Sequence, residues 1–573
     1  MEAQSADASR PSKGRVVMLV DNKVDGDSRV QKAAESAAAA GWDVVLLGLV
    51  RSGGGRTWKL GDAEVRLLPL KTPLSKRHAE RHRSPLRRPL AYPPGPMAAY
   101  RRQWVKAWRA DLATRRAALK VAPAAVGTPL FRKAERLRLT VAGPVSRFMQ
   151  KWVEFRAHQT SQAQRAGRAL RGPIDRAFTA VWKGVKGKRA WRRLEPVLLD
   201  YELTYGKEID ALKPDLIHAN DFRMLGVGAR ATVRARAAGR SVKLVWDAHE
   251  FLPGVRPWED NAHWIPGNTA HESEYAPYAD AVVTVSEGLG DLLRERHGLK
   301  EQPTVVLNAP DRPVERDPVI EDAEPEPDLR ELCGIGPDVP LVVYSGSPGP
   351  QRGLGDMVEA LPELNGVHMA FVVPSPAAAY IQGLLRRAQE LGVGDRLHAV
   401  PYVQHWQVVR FLSAADVGCI PIHHWPNHEI ALITKFFEYS HARLPLVVSD
   451  VKTMSEMTRS TGQGEIFRAE DVDDLVRAVK AVLADPKKYQ AAYGKPGLLD
   501  TWTWEAQAEV LDALYSRLVL EIPRRDHECV SRRQRRRRRL QHDAVPDGVS
   551  ELPDRAEHRP GPAGDRRGRR RFH

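Results

Sequence analysis

Residues 15–49, RVVMLVDNKVDGDSRVQKAAESAAAAGWDVVLLGL, limit the possible folds more than any other stretch of this chain. Positions 16–20 are apolar throughout, 21–27 form a polar loop with one glycine, and an Ala-rich segment of helical character runs to Gly41. Ser28 and Gln31 stand at capping-box spacing, and a second apolar run occupies 44–47. An apolar run without polar alternation is a strand covered on both faces. Two such strands joined by a helix make a βαβ unit, which requires a parallel sheet. Ligands of such sheets bind beyond the C-terminal strand ends. No GxGxxG separates strand from helix, which disfavours a nicotinamide dinucleotide.

The same rhythm returns from residue 201. DLIHAND (215–221), KLVWDAHEF (243–251) and AVVTV (281–285) read as strands with polar residues at or just beyond their C-terminal ends, and strands resume only at 215 on this reading. Ser286 is placed to cap the helix that follows, and PTVVLNAPD (303–311) closes the half. Residues 311–340 are rich in Pro, Asp and Glu and mark a join. A second α/β half follows: LVVYSGS (341–347), the Gly-rich GPQRGLGDMVEALPEL (349–364), and VHMAFVVPS (367–375). An amphipathic helix at 501–519 finishes the pattern.

Within the second half, NHEIALITKFFEYSHARLPLVVSD (427–450) reads as a loop, a helix opening near Thr434, a turn, and a buried strand. The free N–H groups and dipole at such a helix start favour an anion. Lys435 would add a full charge, and Glu438, one turn on, can accept hydrogen bonds from a diol. The same spacing also describes a solvated i,i+3 ion pair on a surface helix.

The net charge of +17 is unevenly spread. Residues 71–193 hold 31 Lys and Arg against 5 Asp and Glu, and residues 524–573 hold 16 Arg against 8 acids, so the remainder is acidic by 17. The basicity therefore belongs to an insert and a tail. The insert mixes Trp104, Trp108, Trp152, Trp182 and Trp191 with arginines in segments of helical propensity. That suits a helix lying on an anionic bilayer, nucleic-acid phosphates, or solvated helices that cover the domain. The tail lacks apolar periodicity and reads as disordered. Cys333, Cys419 and Cys529 form no disulfide framework, which suits a reducing compartment. No run approaches the roughly 18 apolar residues of a membrane span, and residues 1–15 lack a signal-peptide core. His423, His424 and His428 cluster without carboxylates at ligand spacing, so no metal site is expected.

Taken in order, DGDSRVQKAAESAAAAGWDVVLL, DLIHAND, WDAHEF, ADAVVTVSEGL, VVLNAPD, YSGSPGPQRGL and TKFFEYSHARLPLVVS resemble the segments of glycosyltransferase family 4 (group 1) enzymes. The resemblance covers roughly 15–70 and 200–520 and implies the GT-B fold: two Rossmann-like domains facing across a cleft. Here these would be an acceptor-side domain at 14–310 carrying the insert 71–193, a donor-binding domain at 335–490, and a helix at 495–520 packing back on the first domain. Residues 524–573 would be a disordered tail.

The resemblance implies a retaining, metal-independent transfer of a hexose from a nucleotide-sugar. Arg352, with Gly353 beside it, Lys435 and Thr434 would hold the diphosphate, Glu438 the ribose, and His249 the reacting sugar. Asp21, Asp27, Ser28, Asn220 and Asp221 would face the acceptor. Two positions depart from the family pattern: Ile430 replaces the first carboxylate of E-x7-E, with Glu429 one residue out of register, and Ser347 replaces the first basic residue of the phosphate loop. The insert implies a lipid-linked or cell-envelope glycan acceptor and an anionic membrane surface as partner, with the enzyme cytoplasmic and peripheral at the inner face; nucleic acid is disfavoured. Other readings are a nucleotide-sugar epimerase of the same fold, or a non-catalytic polyanion-binding member.

Overall fold

The computed structural model describes residues 12–72, 74, 88–93, 95–121, 128–255, 261–312 and 327–520. The basic tail at 524–573 and part of the Pro/Asp/Glu-rich join lie outside these residues.

Two sheets organise residues 12–520. The first contains β1 (Arg15–Leu19), β2 (Asp43–Val50), β3 (Arg56–Leu60), β4 (Ala63–Pro69), β5 (Leu216–Asn220), β6 (Lys243–Ala248), β7 (Ala281–Thr284) and β8 (Thr304–Val305). Its order is β3-β4-β2-β1-β5-β6-β7-β8. The second contains β9 (Leu341–Ser345), β10 (His368–Val373), β11 (Leu397–Pro401), β12 (Val417–Ile420), β13 (Leu446–Ser449) and β14 (Gly464–Phe467), in the order β11-β10-β9-β12-β13-β14. Both are parallel apart from the antiparallel β3–β4 pair. The chain reverses its winding between β1 and β5 in one sheet and between β9 and β12 in the other, and such switch points open a crevice at the C-terminal strand ends.

The buried strands explain why apolar runs marked them. β1 sits between β2 and β5 with Val17 opposite Val45 and Ile217, and Val16 to Leu19 are fully buried. The β3–β4 hairpin corrects the expectation that, after the run at 44–47, no further strand occurs before residue 215. Its edge strand exposes Arg56, Thr57 and Lys59, and only Ala63, Val65 and Leu67 of its partner are buried. A half-exposed edge carries a weaker sequence signal than a strand covered on both faces.

A second correction concerns the first helix, Ser28–Ala39. Asp27, not Ser28, is its N-cap, and the Asp27 carboxylate accepts from Val30 N at 3.3 Å. Gln31 donates to Val24 O at 2.8 Å instead of closing a capping box. The loop turns on Val24, at φ 72°, and Asn22 Nδ2 donates to Asp27 at 2.7 Å, which seats Asp27 at the cap.

The insert is mostly helical, with helices at Met97–Val121, Pro129–Ala169 and Pro173–Lys186. The first two pair through Leu112, Leu119 and Leu139. Trp191 is fully buried and its indole donates to Glu274 at 2.6 Å, so this indole serves packing, whereas Trp104 and Trp152 are exposed. No helix among the described residues is long and apolar enough to cross a membrane.

The helix Trp504–Val519 lies on the first domain. Trp504, Leu511, Leu514 and Tyr515 join the core formed by Val30, Ala34 and Trp42. Each such buried side chain contributes about 2 kcal/mol. Trp42 Nε1 donates to Asp512 at 2.7 Å, and the Lys32 ammonium sits 4.9 Å from the Trp504 ring.

Candidate functional site

A cavity of about 910 Å³ opens where the C-terminal strand ends of both sheets face each other. From the first domain it is lined by Asp27, Ser28, Arg29, His249 and Glu250, and from the second by Ser347, Arg352, Thr434, Lys435 and Glu438.

On the second wall, β9 runs into a turn that closes at Gly353. This residue adopts φ 70°, and a Cβ there would lie 1.8 Å from Pro421 O, so only glycine fits. Gly353 does not itself line the cavity; it places Arg352, which does. Among the described residues the half-buried Arg352 side chain has no ion pair and no hydrogen bond. A cation held this way is free to pair with an anion.

The helix Thr434–His441 begins without a side-chain cap, leaving its first N–H groups toward the cavity lining. Thr434 Oγ1 accepts from Asn308 Nδ2 at 2.7 Å, joining the helix start to the segment after β8. Lys435 Nζ is 2.8 Å from Glu438 Oε2, with side chains 21% and 11% exposed. The i,i+3 pair therefore exists, but in the cleft and largely out of water.

Ser347, where the resemblance implies a cation, is neutral, and its carbonyl accepts from the Tyr344 hydroxyl at 2.9 Å. Glu429 does not substitute for the carboxylate missing at Ile430. It binds His424 Nδ1 at 2.6 Å and the Lys452 N–H at 2.8 Å, and it does not line the cavity. Ile430 packs against the first domain's core, and its carbonyl accepts from Ser286. The fold also brings carboxylates to the histidine cluster that the sequence left without them: Asp356 and Glu470 lie 2.8 and 3.5 Å from His423, and Asp450 lies 3.0 Å from His424. Among the described residues no group of three or more His, Cys, Asp or Glu is arranged to hold a metal ion.

The first wall rests on a buried charge network. Arg29 binds Asp247 through Nε and Nη2 at 2.9 and 3.0 Å and donates through Nη1 to Val306 O at 2.9 Å. His249 Nε2 and His218 Nε2 stand 3.3 and 3.5 Å from the same Asp247 oxygen. The Tyr515 hydroxyl pairs with His218 Nδ1 at 2.7 Å, so the last helix reaches the network. Burial pushes the Asp247 carboxyl up, but Arg29 and the imidazoles outweigh it and hold it well below the usual range. Burial would likewise depress His249, yet the Asp247 carboxylate raises it above 6.5.

Of the other sequence-derived positions, Asp27 and Ser28 line the cavity, whereas Asp21, Asn220 and Asp221 do not. Asp21 pairs with Arg223 at 2.7 Å. Asn220 is buried and donates to Leu19 O at 3.1 Å. Asp221 opens the helix after β5 at φ 65°, and burial pushes its carboxyl up to about 7. Sequence reasoning missed Arg29, Asp247, His218 and Tyr515. One signal was within reach: Asp247 and His249 are two residues apart at a strand end, where alternation directs both to one side.

Two family models match the chain, Glycosyltransferase Family 4 over residues 160–311 and Glycosyl transferases group 1 over residues 327–496. β1 to β4 and the first insert helix lie outside both spans. A GDP-mannose-dependent alpha-(1-6)-phosphatidylinositol monomannoside mannosyltransferase from Mycolicibacterium smegmatis is 27% identical over 315 residues, covering 52% of this chain and 78% of that protein. A D-inositol 3-phosphate glycosyltransferase from Xylanimonas cellulosilytica is 24% identical over 263 residues, covering 45% and 62%. Sucrose-phosphate synthase from Thermosynechococcus elongatus superposes with a TM-score of 0.54 at 15% identity, covering 88% of this chain and 99% of that one, which shows a shared fold. With two facing parallel-sheet domains and both family models matched in chain order, this chain belongs to the family 4, group 1 glycosyltransferases and has the GT-B fold.

Proposed function

We propose that this glycosyltransferase takes a hexose from a nucleotide-sugar and passes it, with retention of anomeric configuration, to a lipid-linked or cell-envelope glycan acceptor at the inner face of the membrane. The observation that carries the donor reading is the Arg352 cation, unpaired among the described residues, in the same cavity as Lys435 and Glu438, with His249 on the other wall. Transfer breaks the anomeric C–O bond and leaves its electron pair on a diphosphate oxygen. Arg352, Lys435 and the uncapped start of the Thr434–His441 helix would stabilise that charge without calling on a metal. Glu438 would accept from the ribose hydroxyls. The acceptor hydroxyl would attack on the leaving-group face and give its proton to the departing phosphate oxygen. His249, held by Asp247, would orient the sugar and need not act as a base.

The acceptor side is supported by relatives whose names specify a phosphatidylinositol mannoside and an inositol phosphate, and the former makes GDP-mannose the first donor to try. The test is titration of the protein with UDP, GDP, ADP and their sugars, followed by Arg352→Ala and Glu438→Ala. Affinity for the preferred nucleotide should fall in both variants. Unchanged affinity in both would remove the donor site from this cavity.

A further inference from the structure

The helix Pro129–Ala169 carries two opposed apolar faces. One is buried: Leu139, Val153, Ala157 and Ala163 pack inward, with Ser146 and Thr160 on the same side. The other is exposed. Leu137, Val141, Val145, Phe148, Trp152 and Phe155 are exposed by 69, 60, 47, 67, 38 and 43%. Their spacing of 4, 4, 3, 4 and 3 residues keeps them in one stripe, which runs about 27 Å along the helix. The solvent side of an ordinary surface helix is polar, and a continuous apolar row there marks an interaction surface.

We propose that this stripe is the face on which the protein lies in the surface of an anionic lipid bilayer, an inference that rests on the membrane-borne acceptor of the preceding reading. Helical geometry puts Lys133 and Lys151 along one edge of the stripe and Arg138 along the other, and all three are exposed. Cations flanking an apolar row set it parallel to a bilayer, with the row among the upper acyl chains and the charges at lipid phosphates. The surplus of 26 positive charges in residues 71–193 supplies the long-range attraction. Leu137, Val141 and Val145 have no use for nucleic acid, which wants cations and stacking rings. The bilayer therefore matches both halves of the pattern.

The full chain would be sedimented with vesicles of equal parts phosphatidylcholine and phosphatidylglycerol, and with phosphatidylcholine alone. Wild type should bind the anionic vesicles, and F148E/W152E/F155E should bind them at least about tenfold more weakly. K133Q/R138Q/K151Q should bind less and with a shallower salt dependence. All six side chains are exposed, and an unchanged thermal midpoint would confirm folding. Strong vesicle binding by wild type that survives the triple glutamate variant overturns this face while leaving the membrane-borne acceptor standing. Absence of vesicle binding by wild type overturns both. Self-association in lipid-free buffer that the glutamate variant abolishes assigns the stripe to a second copy and overturns the bilayer. Nucleotide affinity in lipid-free buffer should be equal in all variants and reports on the donor site separately.

Discussion

The two walls of the cleft solve opposite problems. On the first wall the buried charges answer one another: Arg29, Asp247, His218 and Tyr515, with the partly buried His249, form one network, assembled from β5, the end of β6, the first helix and the last. On the second wall Arg352 has no partner among the described residues, and the Thr434–His441 helix starts uncapped. One wall is organised by its own charges before anything binds. The other leaves the Arg352 charge unanswered at the cavity among the described residues. Substitutions should therefore cost stability on the first wall and affinity on the second.

The largest effect should come from Asp247→Ala. It leaves the Arg29 guanidinium buried without its carboxylate, which costs about 3–5 kcal/mol, read by denaturant unfolding. The pH dependence follows from the signs. The Asp247 carboxyl is held below 3.8, so its stabilisation is full above that value and is lost as pH falls through the depressed pKa. His249 is raised above 6.5, so its contribution is full below 6.5 and is lost as pH rises through the raised pKa. Asp247→Asn should erase the acid-side dependence and move any His249 limb of the activity profile to lower pH. A variant as stable as wild type would break the contrast between the walls.

Arg352→Ala should do the reverse. Loss of one charge-assisted contact to a diphosphate costs about 2 kcal/mol, roughly thirtyfold in nucleotide affinity by calorimetry. Unfolding free energy should stay within about 0.5 kcal/mol, because among the described residues no partner is stranded. A large stability loss would mean that this wall too is organised from within.

This division also explains what the sequence made legible. The second wall is local: 349–353 and 434–438 are short segments in which loop, helix start and side chain are contiguous, so Arg352, Lys435 and Glu438 stood out. The first wall is not. Arg29 and Asp247 are 218 positions apart, and His218 meets Tyr515 across 297, separations over which pattern reasoning has no reach. The parallel strands were legible because burial on both faces writes an unbroken apolar run. The β3–β4 hairpin was not, because its exposed face dilutes that run. The cap on the first helix moved by one residue because the loop's own hydrogen bonds, invisible in composition, seat Asp27 there.

Tyr515→Phe removes the hydroxyl at the far end of the network while keeping the ring in the core. A stability loss of about 1 kcal/mol is expected, the scale of one neutral hydrogen bond. Nucleotide affinity should not change. The informative readout is the activity profile: if the last helix helps to orient His218 and hence Asp247, the His249 limb should shift in the phenylalanine variant, whereas a role in packing alone would leave it in place.

The smallest effect should be at Glu429, the acid nearest to where the family pattern has its first carboxylate. Its two oxygens are taken by His424 and by the Lys452 N–H, and it is turned out of the cavity. Glu429→Gln should therefore leave nucleotide affinity within about twofold of wild type, well under the 1.4 kcal/mol of a tenfold change. What should move is His424, whose raised pKa comes first from its hydrogen bond to Glu429 and should fall toward 6.5 in NMR titration. A thirtyfold affinity loss in this variant would make Glu429 a displaced member of the donor site, and the second wall would then contain a carboxylate that swings in when the ligand arrives.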